Sequence, residues 1–309
     1  MPEPAGTRTP APHTDIASRG WITRLPPRAR PYAVLARLDR PIGVWVLLLP
    51  GWWAIAMAAG GAPSVTLLVL FAIGAVVMRA AGCVMNDIAD RKFDPKVART
   101  ANRPIASGAV TPRQALVFLG ALLVVGLAVL LSFNRTAWFV GAASLPFVLI
   151  YPYTKRVTDW PQAFLGLTMN WGALLGWAAA ADGLALPAFL LYAAGFFWTL
   201  GYDTIYAHQD KEDDLIIGVR SSALRLGANT RPFLFAVYAA AIALLALAGL
   251  NTGLGRIFLA GLGLAAAHLA WQAATVKIDD PADCLAKFKS NIWFGLIVFA
   301  AVLADKLYV

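Results

Sequence analysis

Apolar residues run along this chain in long blocks, separated by short connections that carry most of the charge. The blocks fall near residues 41–59, 64–85, 114–133, 137–153, 161–180, 186–205, 232–250, 254–275 and 290–307. Each approaches the roughly 20 residues that an α-helix needs to cross a bilayer. They are too long and too rich in Ala and Leu for the alternating strands of a barrel, and backbone polar groups in lipid must be paired within the segment. The pattern therefore predicts an all-α polytopic membrane protein, a bundle of nine transmembrane helices. Composition agrees: 59% of the 309 residues are hydrophobic, mean hydropathy is +0.65 and 14% are charged.

A net charge of +9 suggests a nucleic-acid partner only until its placement is read. Arg and Lys gather in alternate connections: before the first block, between the second and third, fourth and fifth, sixth and seventh, and eighth and ninth. The opposite connections hold only Arg135 and Arg256, with Lys306 near the end. The positive-inside rule then places the N-terminus in the cytoplasm and the C-terminus outside. Membrane lipid is the partner this charge implies, and no nucleic acid is expected. Residues 1–30, rich in Pro and Arg and without an apolar signal region, read as a disordered cytoplasmic tail ahead of one intramembrane domain over 31–309. Ala and Arg usage suggests a bacterial inner (plasma) membrane, with the mitochondrial inner membrane as the alternative. Cys83 and Cys284 form no disulfide framework, and the sequence sets no oligomeric state.

The second block ends in NDIADRKFD, residues 86–94. If the helix continues through it, Asp87, Asp90 and Asp94 fall at i, i+3 and i+7, and Asn86, Asp90 and Asp94 at i, i+4 and i+8. Carboxylates crowded on one stripe repel, which is costly unless a divalent cation sits among them. A solvated acidic helix end is the plain alternative. Arg79, a cation inside the apolar block, falls on the face of Asn86 and Asp87, where it would neutralise a carboxylate or meet a phosphate. Arg99, Asn102 and Arg103 in the following loop are donors that a diphosphate would require. Arg37, Asp39 and Arg40, just before the first block, read as helix-start and interfacial anchors.

The sixth block runs into YDTIYAHQDKEDD, residues 202–214, a partial repeat of the first motif. Asp203 and Asp210 are seven apart, as Asp87 and Asp94 are, and Asp210 pairs by helical spacing with Asp213 and Asp214. Both motifs fall at the cytoplasmic face. Two such clusters across a bundle would form a site for Mg2+ bridging a diphosphate. Lys155 and Arg156, closing the fourth block, are explained equally well by orientation and by recognition of a carboxylate. Arg220 is a candidate phosphate contact.

NDIADRKFD followed by ANRPIASG, with YPYTKR and YDTIYAHQDKEDD, resembles the UbiA superfamily of intramembrane prenyltransferases, and within it the branch that prenylates 4-hydroxybenzoate in ubiquinone biosynthesis. The resemblance implies a transferase that takes polyprenyl diphosphate and 4-hydroxybenzoate as substrates and Mg2+ as cofactor. It implies Asn86, Asp90, Asp94, Asp210 and Asp214 as the metal-holding and catalytic set, with Asp87 and Asp203 in support. Arg156 falls where the aromatic carboxylate is recognised, and Arg91 and Arg103 lie among the basic loop residues. Homogentisate or a naphthoate are the alternative acceptors. A cation-coupled transporter is the rival from another class, but its acids would sit near mid-span.

Overall fold

The structure is a computed structural model that describes residues 16, 20–96, 100–154, 157–211 and 220–308. Among the described residues, the regular structure is helical, and each of the nine apolar blocks lies on helix. Six helices among the described residues are long and apolar enough to cross a membrane: Val65–Asp90, Pro112–Leu131, Pro161–Ala181 read across a kink, Ser222–Asn251, Arg256–Thr275 and Pro281–Tyr308. Ile42–Ala58 and Arg135–Tyr151 are shorter apolar helices. Large apolar side chains such as Val117, Val124 and Leu127 are exposed along Pro112–Leu131, as a lipid-facing helix requires. The chain is an all-helical, polytopic membrane protein.

It divides into two compact units. The first comprises residues 1–41 and 80–123. Of the expected tail, residues 1–15 and 17–19 lie outside the described residues. Within the described part of that segment, Ile22 is buried with Ala33 and Val34 of helix α1, Arg30–Leu35. A second small core joins Leu35 with Val84, Ile105, Val110 and Ala115, and the ring of Tyr32 meets Phe118 edge-on at 5.3 Å. The next described helix after the polar loop, Pro112–Leu131, opens on a capping box. The amide of Thr111 donates to Gln114 Oε1 at 2.9 Å, and the amide of Gln114 donates to Thr111 Oγ1 at 3.3 Å. That cap fixes where the basic loop ends.

The second unit comprises residues 42–79 and 124–309. Its core is aromatic: Trp53, Trp198, Phe258 and Phe294 are fully buried, and each indole N–H of the two tryptophans finds an acceptor, Gly295 O at 2.9 Å and Asn291 Oδ1 at 2.8 Å. Helices approach through glycine; a Cβ on Gly176 would fall 2.6 Å from Gly51 O. Two expected spans are broken. The block 137–153 divides at Ser144, and the block 161–180 divides at Asn170. Asn170 is fully buried and its Nδ2 donates to Gly166 O at 2.8 Å and Thr199 Oγ1 at 2.7 Å, so the side chain supplies pairing at the break.

The last helix staples two others. Asp305, 2% exposed, accepts from the amides of Gly255 at 2.9 Å and Phe258 at 2.8 Å, the open end of helix Arg256–Thr275. Lys306 Nζ donates to Ala59 O at 2.8 Å, just past the end of Ile42–Ala58. Gly255 has no side chain to cap its own helix, so a carboxylate from elsewhere does so at the positive end of the dipole. Asp305→Ala is therefore expected to lower stability by about 2 kcal/mol. The thermal midpoint in detergent reads this, and an unchanged midpoint would show that water replaces the cap.

Candidate functional site

The helix that carries the first motif ends at Asp90, short of the continuous stripe expected from spacing. The amide of Phe93 turns back to Asp90 O at 2.8 Å, and Asp94–Lys96 form a separate 3-10 turn. Pro95 is the physical reason: it has no amide to continue the helix, and it disfavours helical geometry at Asp94 before it. The turn is held from outside by Thr100, whose hydroxyl donates to the Asp94 carbonyl at 2.8 Å. Asp94 is thus delivered by a turn rather than by helical phase.

All three carboxylates are nonetheless buried: Asp87 is 1%, Asp90 4% and Asp94 6% exposed. Arg37 Nη2 donates to both oxygens of Asp87, at 2.7 and 2.9 Å. Arg103 Nη1 lies 3.3 Å from Asp87 Oδ1 and 3.1 Å from each Asp94 oxygen. Asn86 Nδ2 donates to Asp90 Oδ2 at 3.3 Å. Burial pushes the Asp94 carboxyl above its usual range; Arg103 opposes this, while Asp87 and Asp90 add to it. Among the described residues, no three Asp, Glu, His or Cys side chains converge on one point as a ready-made metal cage. Mg2+ does not need one, since it uses one or two carboxylates and takes its other oxygens from phosphate and water. Asn86, Asp90 and Asp94, hard oxygen donors with a residual negative charge, fit that requirement.

The second motif belongs to the other unit. Its helix ends at Ala207, and His208–Asp210 tighten into a 3-10 turn, so the seven-residue spacing of Asp203 and Asp210 does not run through one α-helix. Asp203 is half-buried on that helix, and Tyr206 stacks on Phe288 at 4.6 Å. Arg99, Asp214, Lys155 and Arg156 lie outside the described residues, as does the side chain of Asp210. Arg220 is exposed, 3.8 Å from Asp159 Oδ1. Arg91 is exposed and caps its own helix through Ile88 O at 2.8 Å. Arg79, in the second unit, lies over Gly43, where no Cβ would fit beside its guanidinium.

A profile of the UbiA prenyltransferase family matches residues 47–297. The chain belongs to the UbiA prenyltransferase family. It is 50% identical over 295 residues to the Arabidopsis thaliana 4-hydroxybenzoate polyprenyltransferase, mitochondrial, covering 94% of this chain and 72% of that protein. The human protein of the same name is 46% identical over 99% of this chain and 82% of its own length. The 4-hydroxybenzoate geranyltransferase 1 of Lithospermum erythrorhizon is 47% identical, covering 93% of this chain and 94% of its own. Among solved structures, the apo UbiA homolog from Aeropyrum pernix K1 is 28% identical with a TM-score of 0.71, covering 85% of this chain and 98% of that one. A UbiA homolog from Archaeoglobus fulgidus bound to GPP and Mg2+ shares the fold at a TM-score of 0.62 and 19% identity, over 89% of this chain and 99% of that one.

In this UbiA-family chain, spacing alone missed Arg37. It reads as an interfacial anchor, yet it holds the most buried of the three aspartates from 50 residues away. Its backbone is left-handed, with φ of 57°, which costs a non-glycine residue roughly 1 kcal/mol. The signal was available only as an unusual density of charge in RLDRP, immediately before an apolar block.

His208 yields a pH dependence. The Thr230 hydroxyl donates to Gly227 O at 2.8 Å, so its 2.9 Å contact with His208 Nε2 is one in which the imidazole is the donor. Nδ1 is then an unprotonated nitrogen, buried without a hydrogen-bond partner. Burial first, and Lys211 second, push the imidazole down to about 4. The unfolded chain takes up this proton near pH 6.5 and the folded one does not, so stability is full above pH 6.5 and falls as pH drops toward 4. The loss by pH 5 is on the order of 2 kcal/mol. His208→Gln keeps the donor to Thr230 without titrating. Its thermal midpoint should fall less than wild type between pH 7.5 and 5, and equal falls would refute the assignment.

Proposed function

We propose that the protein transfers a polyprenyl group from polyprenyl diphosphate to the ring carbon ortho to the hydroxyl of 4-hydroxybenzoate, with Mg2+, as a step of ubiquinone biosynthesis. The observation that carries this reading is the joint one: 46–50% identity to proteins named for that reaction over almost the whole chain, and a buried carboxylate motif whose donors suit Mg2+.

Asn86, Asp90, Asp94, Asp210 and Asp214 would be the residues that hold Mg2+, with Asp87 and Asp203 in support. Bound there, Mg2+ would supply Lewis-acid stabilisation of the negative charge that builds on the departing diphosphate. Arg103 and Arg91, with Lys155, Arg79 and Arg220 as further candidates, would add fixed positive charge to the same oxygens. Loss of diphosphate from the allylic carbon leaves an allylic cation. The electron-rich ring attacks it ortho to the hydroxyl, the new carbon–carbon bond forms, and the ring proton departs to restore aromaticity. No covalent bond to the protein is required. Arg156 would pair with the carboxylate of the acceptor through its planar fork. The apolar helices supply a lipid-like surface for the isoprenoid tail.

The compartment is the inner mitochondrial membrane in this reading; relatives named mitochondrial support it over the bacterial inner membrane expected from composition. The relative named a geranyltransferase keeps short donors in view.

Membranes containing the protein, incubated with Mg2+, 4-hydroxybenzoate and prenyl diphosphates from geranyl upward, should yield ring-prenylated product. If folded protein gives none with any donor, the reading fails. Asp90→Ala should lower turnover more than about 100-fold, beyond the 10- to 100-fold typical of outer-shell changes. Near-normal turnover would remove Asp90 from the metal set. Arg156→Ala should raise KM for 4-hydroxybenzoate about tenfold with little change in the KM of the donor; an unchanged acceptor KM would return that residue to topology.

A further inference from the structure

Arg37 occupies a position where proteins ordinarily place glycine. Helix α1 ends at Leu35 with Ala36 as its cap. The amide of Arg37 then donates to Val34 O and the amide of Leu38 to Ala33 O, both at 3.0 Å. That pair of bonds is a Schellman closure, and the residue between helix and exit must adopt left-handed geometry. Leu38 packs back on Ala33 and Val34, as such a closure favours. Among the described residues, Asp182 is the one other non-glycine with positive φ, and aspartate tolerates that region better than most residues. An arginine gains nothing there from its backbone. A strained residue that persists invites the question of what its side chain does.

Both terminal nitrogens of the side chain are committed. Nη1 donates to Val34 O at 3.2 Å, tying the guanidinium to its own helix end. Nη2 spans both oxygens of Asp87, and the arginine side chain is only 11% exposed. Arg103 is held differently. One nitrogen is spread over three oxygens at 3.1 to 3.3 Å, longer than a tight charge-assisted contact of about 2.7–2.9 Å. Asp87 is therefore the firmly paired carboxylate, and Arg103 is the loose cation beside Asp94.

From this we infer that Arg37 is a positioning residue of the metal and diphosphate motif, acting through Asp87. This rests on the metal-diphosphate reading of residues 86–94. Arg37 keeps Asp87 out of the metal's coordination shell and limits its pull on Arg103, leaving Arg103 near Asp94 for the incoming diphosphate. Without Arg37, Asp87 is a buried carboxylate left with only its 3.3 Å contact to Arg103. It then competes for the cation and draws Arg103 toward itself.

Two opposite changes follow, and a purely structural role for Arg37 produces neither pattern. Arg37→Gly relieves the left-handed backbone but takes the firm partner from the buried Asp87, so the thermal midpoint should fall and the two affinities carry the test. In the purified full chain in detergent, Mn2+ alone, followed by electron paramagnetic resonance, should bind several-fold tighter because Asp87 has lost its firm partner. Mn2+ in the presence of inorganic diphosphate should bind about tenfold weaker, the scale of outer-shell losses. Arg37→Lys, which keeps charge without the planar guanidinium, should fall between. In an Asp87→Asn background, Arg37→Gly should change neither affinity more than about twofold.

Parallel weakening of both affinities would make Arg37 a structural cap and overturn the inference. So would unchanged affinities, or an undiminished effect in the Asp87→Asn background. These readouts need no prenyl acceptor. Failure of wild-type protein to prenylate 4-hydroxybenzoate would sink the proposed function while leaving the test of Arg37 intact.

Discussion

Burying carboxylates at the end of an apolar helix is the constraint on which the rest of the first unit depends. An ionised carboxylate out of water is costly unless it is paired and hydrogen-bonded. Asp87 meets that demand through Arg37, Asp94 through Arg103, and Asp90 through contacts that include Asn86. The local structure around them follows from delivering those partners. Helix α1 ends in a left-handed arginine so that a guanidinium can reach Asp87. Pro95 stops the helix, and Thr100 secures the turn that brings Asp94 to the arginine of ANRPIASG. Secondary structure is bent here to suit charge.

The second unit solves a related problem in its core with neutral groups. Its helices are apolar on most faces, so hydrophobicity alone cannot specify which faces meet in a bilayer. Close glycine contacts and single polar bonds do so instead: Gly176 against Gly51, Trp198 onto Asn291, Tyr238 onto Gln272 at 2.9 Å, Asn170 onto Thr199. Packing in this unit is thus set by shape and hydrogen bonding, and the Asp305 and Lys306 staples close the helix ends where the core gives out.

How much of this was legible in the sequence depends on the range over which each feature is encoded. The helices were readable because hydrophobicity over about 20 residues is a local sum. The acidic motif was readable because its residue types are adjacent. The interruptions at Ser144 and Asn170 were not, since small and polar residues occur within continuous spans as well, and only a tertiary partner such as Thr199 decides that the chain breaks there. Asp94 falls on the stripe by helical period, but Pro95 beside it lacks the amide that a continuous helix needs. Arg37 was out of reach for a different reason. Its pairing spans 50 residues, and its left-handed backbone carries no marker when the residue is not glycine.

Charge arithmetic explains why such a motif favours a metal-borne anion over a bare one. Asp87, Asp90 and Asp94 when ionised carry three negative charges, against two from Arg37 and Arg103. Among these five side chains the balance is negative, so a diphosphate approaching alone is repelled by the same carboxylates that a cation would satisfy. A divalent ion reverses the sign of the balance and gives the anion oxygens something to bridge. In the proposed site the arginines would decide which carboxylates remain available to the ion: one bound firmly by Arg37 would be withdrawn, and one bound loosely by Arg103 could be exchanged. Two arginines of equal charge thus do different jobs because one is locked by its backbone and its own helix end, while the other shares a single nitrogen among three oxygens.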